Sequence, residues 1–141
     1  MTAILDKESV REAYNDVRSD DSETNWVVLK NEGSQIVVDS TGESYDEFFA
    51  KFTDDMLGFG YVRIFTGDEL SRRAKFALIT WIGQNVSPLK KAKMSTNKAF
   101  VKEVIHSYAK EILVEDSEDL NEEGIRELLV KAGGANYGTG A

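Results

Sequence analysis

Seven consecutive residues, Phe76-Ala77-Leu78-Ile79-Thr80-Trp81-Ile82, are apolar with the sole exception of Thr80. Successive side chains of a strand point to opposite faces, so a strand built from this run has no face to give to water. It must lie inside a sheet with a packed layer on either side. The chain has 141 residues, and domains run to roughly 100–150 residues, so one core is expected.

The rest of the sequence supplies the layers. Asp6 to about Arg18 reads as a helix, with Asp6 as its cap and Val10, Ala13, Tyr14 and Val17 along one face. Trp26 to Lys30 and Gln35 to Val38 read as a hairpin around Asn31-Glu32-Gly33-Ser34. Tyr45, Phe48, Phe49 and Phe52 predict a short helix entered through Ser44. Phe59 to Phe65 and Lys75 to Ile82 are strands joined by a polar connector, Thr66 to Ala74. Ser87 as cap and Pro88 as first residue open a long helix to about Lys110. Its apolar stripe is Val101, Val104, Ile105 and Tyr108, and an interruption or bend is expected near Ser95-Thr96-Asn97, whose side chains compete for the backbone. Glu111 to Val114 is a last strand and Asn121 to Lys131 a closing helix, stopped by Gly133-Gly134. The order αββαββαβα predicts an α/β (α+β) three-layer sandwich, a central sheet with helices on both faces. A single domain over residues 1–132 with a flexible tail over 133–141 follows from this reading.

Charge is distributed unevenly. The net charge is −8, which disfavours a general nucleic-acid or membrane-surface binder. Yet residues 71–102 hold eight basic side chains (Arg72, Arg73, Lys75, Lys90, Lys91, Lys93, Lys98, Lys102) and no acidic one. The Debye length at physiological salt is about 8 Å, so a partner touching this segment feels its local positive charge. At about 100° per residue, Lys91, Lys98 and Lys102 fall within about 20° of one line beside the buried stripe, whereas Lys90 and Lys93 point elsewhere.

Apparatus for catalysis is hard to assemble from these residues. There is no cysteine, which removes disulfides, thiolate zinc sites, Fe–S clusters and thiol nucleophiles. His106, the single histidine, falls near the helix stripe, where a structural role is expected. Asp54 and Asp55 are adjacent and so diverge, which suits a turn. Gly58 and Gly60 lack the third glycine and the following helix of a dinucleotide fingerprint. No enzymatic activity, cofactor or metal is expected. Neither a secretory signal nor a membrane span is read from the sequence, and a cytoplasmic location is expected.

Asp6-Lys7-Glu8, Ala13-Tyr14, Phe76 to Gly83, Val101-Lys102-Glu103-Val104 and Lys131-Ala132-Gly133-Gly134-Ala135-Asn136-Tyr137 resemble the coactosins, within the actin-depolymerising factor/cofilin homology (ADF-H) family. The resemblance runs over essentially the whole chain. It implies the mixed five-stranded sheet of that family and binding along the side of filamentous actin, without cofilin's severing or depolymerising activity. It implies Lys75 as the strand-mouth lysine, with Arg72 and Arg73 beside it, Lys98 and Lys102 on the long helix, and Arg126 and Lys131 on the closing helix; helix geometry adds Lys91. Cofilins carry a regulatory serine after the initiator methionine, where this chain has Thr2 and Ala3. The expected partner is filamentous actin and the expected state a monomer on the actin cytoskeleton. The alternative is an adaptor or chaperone-like partner for another protein such as a lipoxygenase, with little or no actin binding.

Overall fold

The computed structural model describes residues 4–32, 35–67, 70 and 72–137. The elements in chain order are β1 (Ile4–Leu5), α1 (Lys7–Arg18), β2 (Trp26–Glu32), β3 (Gln35–Gly42), α2 (Tyr45–Ala50), β4 (Leu57–Thr66), β5 (Arg73–Ile82), α3 (Pro88–Ala92), α4 (Met94–Val104), β6 (Lys110–Val114), a single 3-10 turn (Ser117–Asp119) and α5 (Glu122–Tyr137). The sheet order is β1-β3-β2-β4-β5-β6. Pairing is antiparallel from β3 to β5 and parallel at both edges. This is the mixed five-stranded sheet with the two-residue strand β1 added at one edge.

Alternation along each strand divides the core. Val27, Leu29, Phe59, Tyr61 and Leu78 point to the face covered by α1 and α4. Trp26, Val28, Val62, Ile64, Ala77, Ile79 and Trp81 point to the face covered by α2 and α5. The seven-residue apolar run lies in β5, which is bonded on one side to β4 and, from Ala77 to Trp81, on the other to β6. Gly58 and Gly60 lie in β4 where neighbours press on the backbone. A Cβ at Gly60 would stand 2.7 Å from the Phe48 ring, and one at Gly58 2.7 Å from the Leu29 carbonyl oxygen.

Three local readings are corrected. The long helix is interrupted, but at Lys93, between α3 and α4, two residues before Ser95 rather than within Ser95-Thr96-Asn97. Met94 packs on the small cluster of Leu57, Ile82 and Val86, and α3 before it buries nothing. The second helix then ends at Val104, well before Lys110. Two tyrosines replace the helical partners there: the Ser107 N–H donates to the Tyr14 hydroxyl at 3.0 Å, and the Tyr61 hydroxyl donates to the Ser107 carbonyl at 2.6 Å. His106 therefore sits exposed in a crossover, edge-on to Tyr14, and not on a helix stripe. Finally, α5 continues through Gly133 and Gly134 to Tyr137. Glycine ends a helix by turning left-handed, and the backbone here stays helical instead. Residues 138–141 of the expected tail, like Thr2 and Ala3, lie outside the described residues.

Trp81 is wholly buried, and its indole N–H donates to the Thr53 carbonyl at 2.7 Å. Trp81→Ala empties that volume and strands the carbonyl, so it should cost about 3–5 kcal/mol. Denaturant unfolding checks this, and an unchanged midpoint would contradict the interior placement of β5.

Candidate functional site

The expected site residues divide among three places. Strands β4 and β5 pair over their whole length, from Leu57 with Ile82 to Thr66 with Arg73. Pairing of β2 with β4 stops at Val62, and pairing of β6 with β5 begins only at Ala77. Residues 64–66 and 73–75 therefore project past both neighbouring strands as a two-stranded arm. Lys75 is on this arm, so its backbone has a strand partner on one side only, rather than the two that a central strand gives.

Arg72 and Arg73 stand at the same end. The Arg72 guanidinium lies 4.0 Å from the Phe65 ring centre, a cation–π contact that holds the charge at the surface. Arg73 and Lys75 share strand parity with Ala77, Ile79 and Trp81, which places them on the α2/α5 side. Arg73 is exposed and Lys75 half-buried, and among the described residues no carboxylate pairs with either.

On α5, Arg126 reaches the arm by donating from Nε to the Phe65 carbonyl at 3.0 Å. Its other guanidinium nitrogens bind Glu122 and Glu123 of its own helix. The Glu122 bond pushes its pKa up despite partial desolvation. Arg126 thus clamps α5 to the arm with its charge largely spent. Lys131 is exposed farther along α5.

Lys98 and Lys102 lie on α4, across the sheet from Lys75. Both converge on Glu111 of β6, at 3.2 Å and 2.9 Å. Two ammonium groups on one carboxylate leave a patch of reduced positive charge. Lys91 does not join their line, because the break at Lys93 ends the helical register. It stands instead on a cleft of about 390 Å³ with Ile82, Gly83, Gln84, Glu115 and Asp116. Lys75 and Ile82 are seven residues apart on β5, roughly 23 Å at ~3.3 Å per residue, so the cleft that Lys91 shares with Ile82 lies at the other end of the sheet from Lys75.

Sequence reasoning missed Glu111 as the partner of both helix lysines. The signal was the return of the chain after Ile105 to a parallel strand beneath α4. Burial raises the Glu111 pKa, but the bonds from Lys102 and Lys98 outweigh it and hold the carboxyl below its ordinary 4.5. A lowered folded-state pKa means that this cluster contributes stability above the unfolded value and loses it as pH falls through the folded one. Carboxyl chemical shifts should show Glu111 titrating below 4.5, and a midpoint at or above that value would contradict the pairing.

A family model of cofilin/tropomyosin-type actin-binding proteins matches residues 3–129. The coactosin-like protein of Homo sapiens is 50% identical over 137 residues, covering 97% of this chain and 96% of that protein. The crystal structure of the human coactosin-like protein superposes with a TM-score of 0.88 at 48% identity, covering 92% of this chain and 99% of the other. The solution structure of mouse coactosin, an actin filament binding protein, gives 0.81 at 48% identity over 99% and 98% of the two chains. Sequence and overall fold agree along nearly the full length, and the chain belongs to the coactosins of the cofilin-type actin-binding family.

Proposed function

We propose that this protein binds the side of filamentous actin through the basic arm, without strong severing or depolymerisation. The observation that carries the reading is the group Arg72, Arg73 and Lys75. These cations have no carboxylate partner among the described residues, and they project beyond the neighbouring strands of a chain whose net charge is −8. Mouse coactosin is described as an actin filament binding protein, and its sequence likeness supports the same partner here. Lys131 on α5 extends the surface. Arg126 holds α5 in place, and Lys98, Lys102 and Lys91 contribute long-range attraction. The protein acts as a monomer, on the cytoplasmic actin cytoskeleton, and needs no cofactor.

Lys75 is the expected centre of the contact. Its half-buried stem restricts its rotamers before docking, so less entropy is lost when it meets a carboxylate. Lys75→Glu sets like charges against each other and should cost about 2–5 kcal/mol of binding. Its melting temperature should stay near the wild-type value. Lys98→Ala and Lys102→Ala should weaken binding less, because Glu111 already engages both ammonium groups.

Co-sedimentation with filaments at two salt concentrations tests the reading. Wild-type protein should pellet, less so at the higher salt, and Lys75→Glu should remain in the supernatant. Pelleting of Lys75→Glu equal to wild type, with loss in the helix variants, would move the site to α4. Failure of the wild type to pellet at all would favour the adaptor role.

A further inference from the structure

We propose that Ser87 is a phosphorylation site for a proline-directed serine/threonine protein kinase. Ser87-Pro88-Leu89-Lys90 presents a serine followed by proline, with a lysine two residues beyond the proline. Such kinases accept this arrangement because proline has no N–H to bury and fixes its own backbone angle. Pro88 is the only proline in the chain. The molecule therefore offers an enzyme of this class one position and no other.

The structure makes that position accessible. Ser87, Pro88, Leu89 and Lys90 are all exposed, with Leu89 at 72%. Ser87 has extended backbone, φ −65° and ψ 152°, which suits an extended substrate strand. Its hydroxyl oxygen accepts the Lys90 N–H at 3.3 Å, and among the described residues no acceptor takes its proton. Residues Pro88 to Ala92 form a five-residue helix that buries no side chain. Local opening at this segment exposes no core, so it belongs to the low-stability end of the molecule.

In the transfer, the Ser87 oxygen forms a bond to the γ-phosphorus of ATP. The bond from that phosphorus to the β,γ-bridging oxygen breaks, ADP leaves with the electron pair, and the hydroxyl proton passes to a carboxylate of the kinase. The product carries roughly −1.5 to −2 charge at neutral pH. It arrives beside Lys90 and Lys91, in a stretch from residue 71 to 102 that has no native carboxylate. Lys90 and Lys93 also line a cleft of about 440 Å³ with Lys30 and Asp55. The modification therefore sets negative charge among Lys90, Lys91 and Lys93, at the end of the sheet opposite the arm. Weaker filament binding by the modified protein rests on the function proposed above; the labelling itself does not.

Full-length protein is incubated with a purified proline-directed kinase and ATP–Mg, and phosphate is located by intact mass and fragment mass spectra. One phosphate per chain is expected, at Ser87, with incorporation lost in Ser87→Ala and in Pro88→Ala and slowed in Lys90→Glu. A peptide spanning residues 84–93 serves as the unfolded control. Labelling of the peptide without the protein would show that the fold withholds Ser87, and labelling of neither would show that the segment is no substrate; each overturns the proposal. So does incorporation that persists in Ser87→Ala. Pelleting of the phosphorylated protein at wild-type levels would overturn the charge effect and leave the site standing.

Discussion

Arg63 occupies a position where the alternation of β4 calls for an apolar side chain, after Phe59 and Tyr61 on the same face. It is 6% exposed, and its charge is met by carbonyls rather than by a carboxylate. The guanidinium donates to Val17 and Ser19 at the end of α1, and to Ser22 and Thr24 in the following loop. The C-terminal end of a helix carries the negative pole of its dipole, so these acceptors offset much of the cost of burying a cation. The same residue's N–H donates to Asn25 at 2.7 Å, and its carbonyl accepts the Tyr45 hydroxyl at 2.6 Å. One residue thus joins α1, the entry to β2, β4 and α2, tying both helical layers to the sheet. Hydrogen bonds from the Thr24 and Ser22 side chains of the same loop lower the pKa of Asp16.

The projecting arm depends on that fixed point. Beyond Arg63 neither β2 nor β6 continues alongside, so residues 64–66 and 73–75 rely on each other and on the layers above and below. Tyr61 and Phe76 stack at 5.4 Å on one side, and Arg126 clamps α5 to Phe65 from its helix. A pair of strands isolated in water is marginally stable. Here the arm is anchored at its base, so its basic side chains are presented from a supported backbone.

The elements legible in the sequence were those with strong local causes. Asp6, Ser44 and Ser87 cap the helices that they were expected to cap, and β5 is buried where its composition required. The less legible features depend on distant residues. The end of α4 at Val104 is set by tyrosines at positions 14 and 61, and the break at Lys93 accompanies Met94 packing against Leu57, Ile82 and Val86. Strand β1 has two residues and exists only because β3 offers an edge. Projection onto a helical wheel placed Lys91 with Lys98 and Lys102, but a wheel assumes one uninterrupted axis.

The charge pattern was legible as a total and illegible as a surface. A stretch of eight cations suggested a continuous face, yet the fold sends Lys75 to one side of the sheet, Lys98 and Lys102 to the other, and Lys91 to the far end. Acidic residues distant in sequence then decide which cations remain available. Glu111 takes two lysines, and Glu122 and Glu123 take the one arginine of α5. Among the described residues, Arg72, Arg73 and Lys75 escape because β4 and β5 outrun their neighbours, and the carboxylates of β6 begin only at Glu111, opposite Leu78. A strand-length mismatch, rather than the count of basic residues, is what leaves these three cations without a carboxylate partner among the described residues of an acidic protein.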